Sequence, residues 1–254
     1  MKVFTLRVKY ILVAAAMFLL VLTGALSAKA AGAEEVWWSG TRSLPIYSVE
    51  RSDNKIAISF DCAWGTDHTD AILENLAKAN VRATFFTVQF WSEKYPDYLK
   101  KIDEAGHEIG THSATHSYMS RLGEAEIRAE LESSSAAITS VTGKQVTLFR
   151  PPYGDYNNRL IDTVNAMDLK PIQWDVDSLD WKDLSAGDIA ARIVDQVKSG
   201  SIILCHNNGL HTAEALPIIF DTLRARGFEF VPIGELIYQN NYTIDNTGRQ
   251  IPNQ

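Results

Sequence analysis

Two histidines four residues apart, His112 and His116 in the run Gly110-Thr111-His112-Ser113-Ala114-Thr115-His116, can face one cation if the segment is helical or tightly turned. They would then supply two thirds of a metal site. The same spacing also arises on solvated helices that bind nothing, so the rest of the chain has to discriminate. The field is small, because the chain has six histidines in all: His68, His107, His112, His116, His206 and His211.

The elements that must position these residues become regular from residue 55. Hydrophobic periodicity predicts strands over 55–60, 83–88, 107–110, 146–149, 170–174, 201–205 and 229–231. Between them it predicts helices over 68–79, 96–105, 124–142, 157–167, 186–197, 212–226 and 233–238. Strand and helix in repeated alternation imply a parallel sheet with helices outside. About seven strands favour an irregular (β/α) barrel over an open sheet. The first of these strands is preceded by a lead-in over 31–54, and the polar, Asn-containing tail over 239–254 is expected to be mobile.

In such a barrel functional groups collect where strands end. Asp61 follows the first strand, His112 and His116 the third, Arg150 the fourth, Asp177 and Asp180 the fifth, and His206 the sixth. A carboxylate, three imidazoles and a guanidinium at successive strand ends form a hydrolytic set, and they strengthen the metal reading of the histidine pair. His107 and His211 are expected to be structural or solvated. Trp64 is expected to be an ordinary core or rim aromatic, and Asp180 a cap of the following loop.

The local sequences Ser59-Phe60-Asp61, His112-Ser113-Ala114-Thr115-His116, Arg150-Pro151-Pro152-Tyr153-Gly154, Asp177-Ser178-Leu179-Asp180-Trp181 and Leu204-Cys205-His206 occur in this order. Together, over 55–238, they resemble the polysaccharide deacetylases with a NodB homology domain, carbohydrate esterase family 4. The form Phe60-Asp61-Cys62-Ala63-Trp64-Gly65 is similar to the sporulation-associated, PdaB-like branch.

The resemblance implies metal-assisted hydrolysis of an acetamide on an N-acetylated glycan such as peptidoglycan. In that scheme His112 and His116 hold a divalent cation. Zinc is the default because neutral imidazole suits it, with cobalt or manganese as alternatives. Asp61 is the general base, positioned by Arg150; His206 is the acid, with Asp177 as its carboxylate partner. Tyr153, Trp181 and Leu204 wall the acetyl pocket. O-deacetylation uses similar chemistry and stays open, as does a glycan-binding protein with weak catalysis. A glycosidase built on two carboxylates would leave the histidine pair and Arg150 without roles.

One position departs from the family pattern, which commonly has a second aspartate where this chain has Cys62. The third ligand is therefore Cys62 as a thiolate, or Asp67 or His68 from the following loop, or is missing. Strand alternation turns Cys62 away from the site if Asp61 faces it, and treats Cys205 alike beside Leu204 and His206. Both cysteines then sit behind the site, where a disulfide between them is conceivable.

The ends and the composition bound the setting. Lys2, Arg7 and Lys9 precede an apolar run over 10–26 and the small residues around Ala30, the order of a secretory signal or, if uncleaved, a membrane anchor over 1–30. Either one exports the remainder, which is therefore expected to be extracytoplasmic. Without Lys2, Arg7, Lys9 and Lys29 the formal charge moves from −7 to −11, which argues against a nucleic-acid partner. The remaining roughly 220 residues suit one domain with a large core. Two cysteines are no disulfide framework.

Overall fold

The computed structural model describes residues 42–253. The expected leader and residues 31–41 of the lead-in lie outside the described residues. Among the described residues no helix is long and apolar enough to cross a membrane.

The central strand, β2, spans Lys55–Cys62 and is buried almost throughout. Ile56, Ile58, Phe60 and Cys62 point to the helical layer, while Ala57 joins a second apolar cluster on the other face. Its helical face is apolar, whereas the other face carries Ala57, Ser59 and Asp61, which are buried all the same. Around it run β3 (Thr84–Thr87), β4 (Glu108–Thr111), β5 (Leu148–Phe149), β6 (Lys170–Pro171), β7 (Val176–Asp177) and β8 (Ile202–His206). The sheet order is β6-β5-β4-β3-β2-β8-β7, and every pairing within it is parallel. The result is a half-barrel wrapped by helices, with no ladder joining β6 to β7. β9 (Glu229–Phe230) pairs with the start of β2 only.

The helices are α1 (Thr69–Lys78), α2 (Gln89–Lys94), α3 (Pro96–Glu104), α4 (Glu124–Thr142), α5 (Asn158–Asn165), α6 (Ala186–Gln196), α7 (Thr212–Ala225) and α8 (Ile233–Leu236). Each longer one buries an apolar stripe, as α4 does with Ile127, Leu131 and Ile138. Pro217 lies inside α7 and cannot donate to the carbonyl one turn back. Asn75 of α1 supplies the missing donor: its Nδ2 reaches Ala213 O at 2.8 Å.

The lead-in and the tail depart from expectation together. β1 (Ser48–Val49) pairs in parallel with β11 (Arg249–Pro252), which pairs antiparallel with β10 (Tyr242–Ile244). The tail is thus an ordered hairpin. Asp245 accepts from the Thr247 and Arg249 amides, and Gly248 turns the chain at φ +81°. A side chain at Gly248 would strike the Tyr47 ring. Gln250 is fully buried, and its amide exchanges hydrogen bonds with the Tyr238 backbone at 2.7 and 2.8 Å. Polar composition concealed this strand because its buried residue is a glutamine whose partners are main-chain groups.

Candidate active site

Five strand ends converge on one cavity of about 430 Å³. Asp61, His112, His116, Tyr153, Asp177, Trp181, Leu204 and His206 line it, as do Ala63, Trp64, Trp174 and Asn208. Asp61 and His206 are in-register neighbours on β2 and β8, so their side chains emerge side by side on the same face.

Arg150 follows β5 and is fully buried, with its guanidinium 4.2 Å from the centroid of the Phe86 ring. It donates to Asp61 Oδ1 at 2.8 Å and to the Gln173 carbonyl at 3.2 Å. Burial alone would raise the Asp61 pKa. The charge of Arg150, helped by His112 and His206, overcomes it and holds the carboxyl below its usual range. Oδ2, the oxygen Arg150 leaves free, lies 3.5 Å from His112 Nε2.

His112 Nδ1 is 2.8 Å from the Arg150 carbonyl, so that nitrogen carries the proton and Nε2 keeps its lone pair. Burial lowers the His112 pKa. Burial, and then the neighbouring His112, bring that of His116 down to about 4. Both rings are neutral at pH 7, the form a metal requires. Their centroids lie 5.0 Å apart, and the buried Nδ1 of His116 has no hydrogen-bond partner. The rings thus fit as two ligands of a cation. Among the described residues no group of three or more His, Cys, Asp or Glu side chains is arranged to hold a metal ion.

Cys62 does not complete the shell. It packs with Ile72, Leu76 and Trp91 in the core behind β2, and burial, with the charge of Asp61 beside it, pushes its thiol pKa well up. The period-two geometry of the strand turns it away, which corrects the thiolate expectation. Asp67 and His68 do not line the cavity either. Cys205 sits in the same core as Cys62, and both are free thiols. In Cys62→Ser the zinc affinity is expected to stay within about threefold of wild type by calorimetric titration; a tenfold loss, about 1.4 kcal/mol, would restore the thiolate.

The partner of His206 also differs from expectation. Asp180, fully buried, accepts a hydrogen bond from His206 Nδ1 at 2.7 Å through Oδ1, while Oδ2 accepts from the His206 amide and from Thr212 Oγ1, each at 2.7 Å. Burial opposes charge on both members. The bond between them overcomes it, so the Asp180 pKa falls below, and the His206 pKa rises above, the ordinary value. Asp177 lines the cavity and accepts from the Leu179 amide at 2.9 Å.

The reason lies in the short turn Asp180–Lys182, entered through Leu179 at φ +53°, which carries Asp180 under the strand end. Gly209 makes room there, since a Cβ at that position would lie 2.8 Å from Asp180 Oδ2 and collide with Thr212 Oγ1.

Sequence reasoning missed Trp174, Asn208 and Thr212, and underrated Trp64. Trp64 is 54% exposed, lines the cavity and meets the His116 ring edge-on at 4.7 Å. A tryptophan three residues after a strand-end aspartate was the available signal. Thr212 gave none, because its role depends on how α7 docks. His107 is structural, as expected: its Nδ1 accepts from the Ala83 amide at 3.2 Å.

Several backbone positions around the cavity are held at positive φ without being glycine: Ser113 (+70°), His116 (+57°), Tyr153 (+61°) and Leu179 (+53°). Such conformations cost about 1–3 kcal/mol each and persist where surrounding structure enforces them.

The family model described as polysaccharide deacetylase matches residues 48–172. The peptidoglycan-N-acetylglucosamine deacetylase PgdA of Listeria monocytogenes is 32% identical over 193 residues, 76% of this chain and 41% of its own length. The chain therefore spans about two fifths of that relative. Among solved structures, a CE4 family pseudoenzyme from Bacillus anthracis superposes with a TM-score of 0.75 at 30% identity, covering 78% of this chain and 70% of that one. A mutant of it with restored enzymatic activity superposes with the same score at 31% identity. The peptidoglycan deacetylase PdaC of Bacillus subtilis is 32% identical, with a TM-score of 0.66 and coverage of 74% and 92%. With the strand-end residues, the half-barrel and these likenesses in agreement, the chain belongs to the polysaccharide deacetylases, carbohydrate esterase family 4.

Proposed function

We propose that the protein removes N-acetyl groups from amino sugars of cell-wall glycan, peptidoglycan in particular, outside the cytoplasmic membrane. The observation that carries this reading is a cavity in which a carboxylate and an imidazole stand side by side, each held by a buried partner of opposite charge. The substrates named for PgdA and PdaC support the choice of glycan. The likeness of the first motif to a sporulation-associated branch adds spore formation as the setting.

Asp61, kept ionised by Arg150, takes the proton of the attacking water through Oδ2. His112 and His116 would hold a divalent cation, zinc by their chemistry, which when bound supplies polarisation of the acetyl carbonyl and a more acidic water. The Tyr153 amide is the donor proposed for the oxyanion, a type of contact usually worth about 3 kcal/mol of barrier. His206 keeps its Nδ1 proton on Asp180, so Nε2 delivers a proton to the departing nitrogen. Amines leave poorly as anions, and this acid step is worth on the order of a hundredfold or more. Leu204, Tyr153 and Trp181 wall the methyl and the sugar ring.

Acetate release from N-acetylglucosamine oligomers and from peptidoglycan, with zinc or cobalt added, tests the reading. Metal-dependent acetate is expected from wild type and a loss of at least about a hundredfold in Asp61→Asn. No acetate from any glycan would sink it. A second reading, a wall-glycan binder with weak catalysis, is favoured by Cys62 facing the core and by the likeness to a pseudoenzyme; glycan binding without acetate release would establish it.

A further inference from the structure

The deacetylase scheme uses the cavity but leaves its outer rim unexplained. Tyr153, 55% exposed, meets the His116 ring edge-on at 4.6 Å. On the side away from the imidazoles its ring continues into Tyr118, stacked at 4.3 Å with 15° between the planes. The Arg121 guanidinium lies 4.7 Å over the Tyr118 ring. No carboxylate lies within ion-pair distance of Arg121 among the described residues, and the nearby Asp155 is turned to the Ser120 amide at 3.0 Å. Arg159, exposed, approaches the same turn by donating to the Leu122 carbonyl at 3.0 Å.

These residues continue the cavity rather than decorate a distant surface. Flat, exposed aromatic rings suit the apolar faces of sugars, and an unpaired guanidinium resting on one of them is set to form a two-pronged bond to a carboxylate. On a chain of formal charge −7, cations grouped at one end of the site select for an anion against the general field.

We propose that Tyr118 and Arg121 form an outer subsite that binds the neighbour of the sugar being processed, and that this neighbour carries a carboxylate, as the lactyl-ether sugar of wall glycan does where its peptide has been removed. The subsite rests on the glycan reading of the cavity, extends it by one sugar, and assigns preference between neutral and acidic strands to Arg121. Tyr118 supplies stacking for either kind.

The test is calorimetric binding to the full chain with two probes: the neutral hexamer of N-acetylglucosamine, and a peptide-free tetrasaccharide alternating N-acetylglucosamine with N-acetylmuramic acid. Arg121→Gln is expected to weaken the acidic probe about tenfold, the effect of one lost charge-assisted contact, and to leave the neutral hexamer within about twofold. Tyr118→Ala is expected to weaken both. Equal loss of both probes in Arg121→Gln, or no loss of either, overturns the subsite while leaving the glycan reading intact. Failure of wild type to bind either probe overturns both. Because binding is measured, the outcome does not depend on turnover.

Discussion

Replacing Arg150 with methionine is expected to destabilise the fold by about 3–5 kcal/mol in urea or guanidinium titration, and to abolish acetate release. The guanidinium is fully buried and bonded to Asp61, itself almost fully buried. Removing it strands a carboxylate in the interior, whose only escape is to take up a proton. The size of the effect comes from that abandoned charge more than from the net value of the pair, since buried ion pairs often contribute little over apolar residues of equal volume. A double variant with Asp61→Asn separates the two contributions. It should regain much of the lost stability while staying inactive, a coupling that a double-mutant cycle reads directly. Full additivity of the two losses would mean that Arg150 is there for packing on Phe86 rather than for Asp61.

The second large effect is expected from Asp180→Asn, where the rate on an N-acetyl substrate should fall by about 10²–10⁴. Asp180 fixes the proton on His206 Nδ1 and favours the charged ring. An asparagine removes the charge and allows the wrong tautomer. The sign in pH follows: without the anion the His206 pKa drops, the acid form is lost earlier as pH rises, and the alkaline limb of the rate profile moves to lower pH. The corresponding change at Asp177, whose carboxylate bonds the Leu179 amide and acts on His206 only through its charge, should move that limb much less. If Asp177→Asn moves the limb and Asp180→Asn does not, the assignment of partners is reversed.

How much of this was legible before the structure depends on which forces decide each feature. Alternation on a strand is local, so Ile56, Ile58, Phe60 and Cys62 sort from Ala57, Ser59 and Asp61 by counting alone, and the inert placement of both cysteines follows. The alternating strands and helices, and with them the strand-end set, come from the same local periodicity. The choice between Asp177 and Asp180 was not local. It depends on a left-handed residue at Leu179 within the motif, and on Thr212 arriving from α7 and the missing Cβ of Gly209, both remote from it. β7 is two residues long and carries no period to detect, and Trp174 reaches the cavity from the irregular stretch before it. Gln250 shows the opposite failure, in which an ordered strand looks like a tail because its one buried residue is polar.

The pairing of β1 with β11 also sets an order in time. Ser48 sits opposite Arg249 and Val49 opposite Gln250, so the first described strand waits for almost the last described residues before it has a neighbour in its own sheet. Contacts between positions so far apart in the chain form late and slowly. Before residues 249–252 arrive, Val49 lacks its ladder partner Gln250. The small sheet of β1, β10 and β11 is thereby expected to close last, because no pairing in the larger sheet spans as much chain.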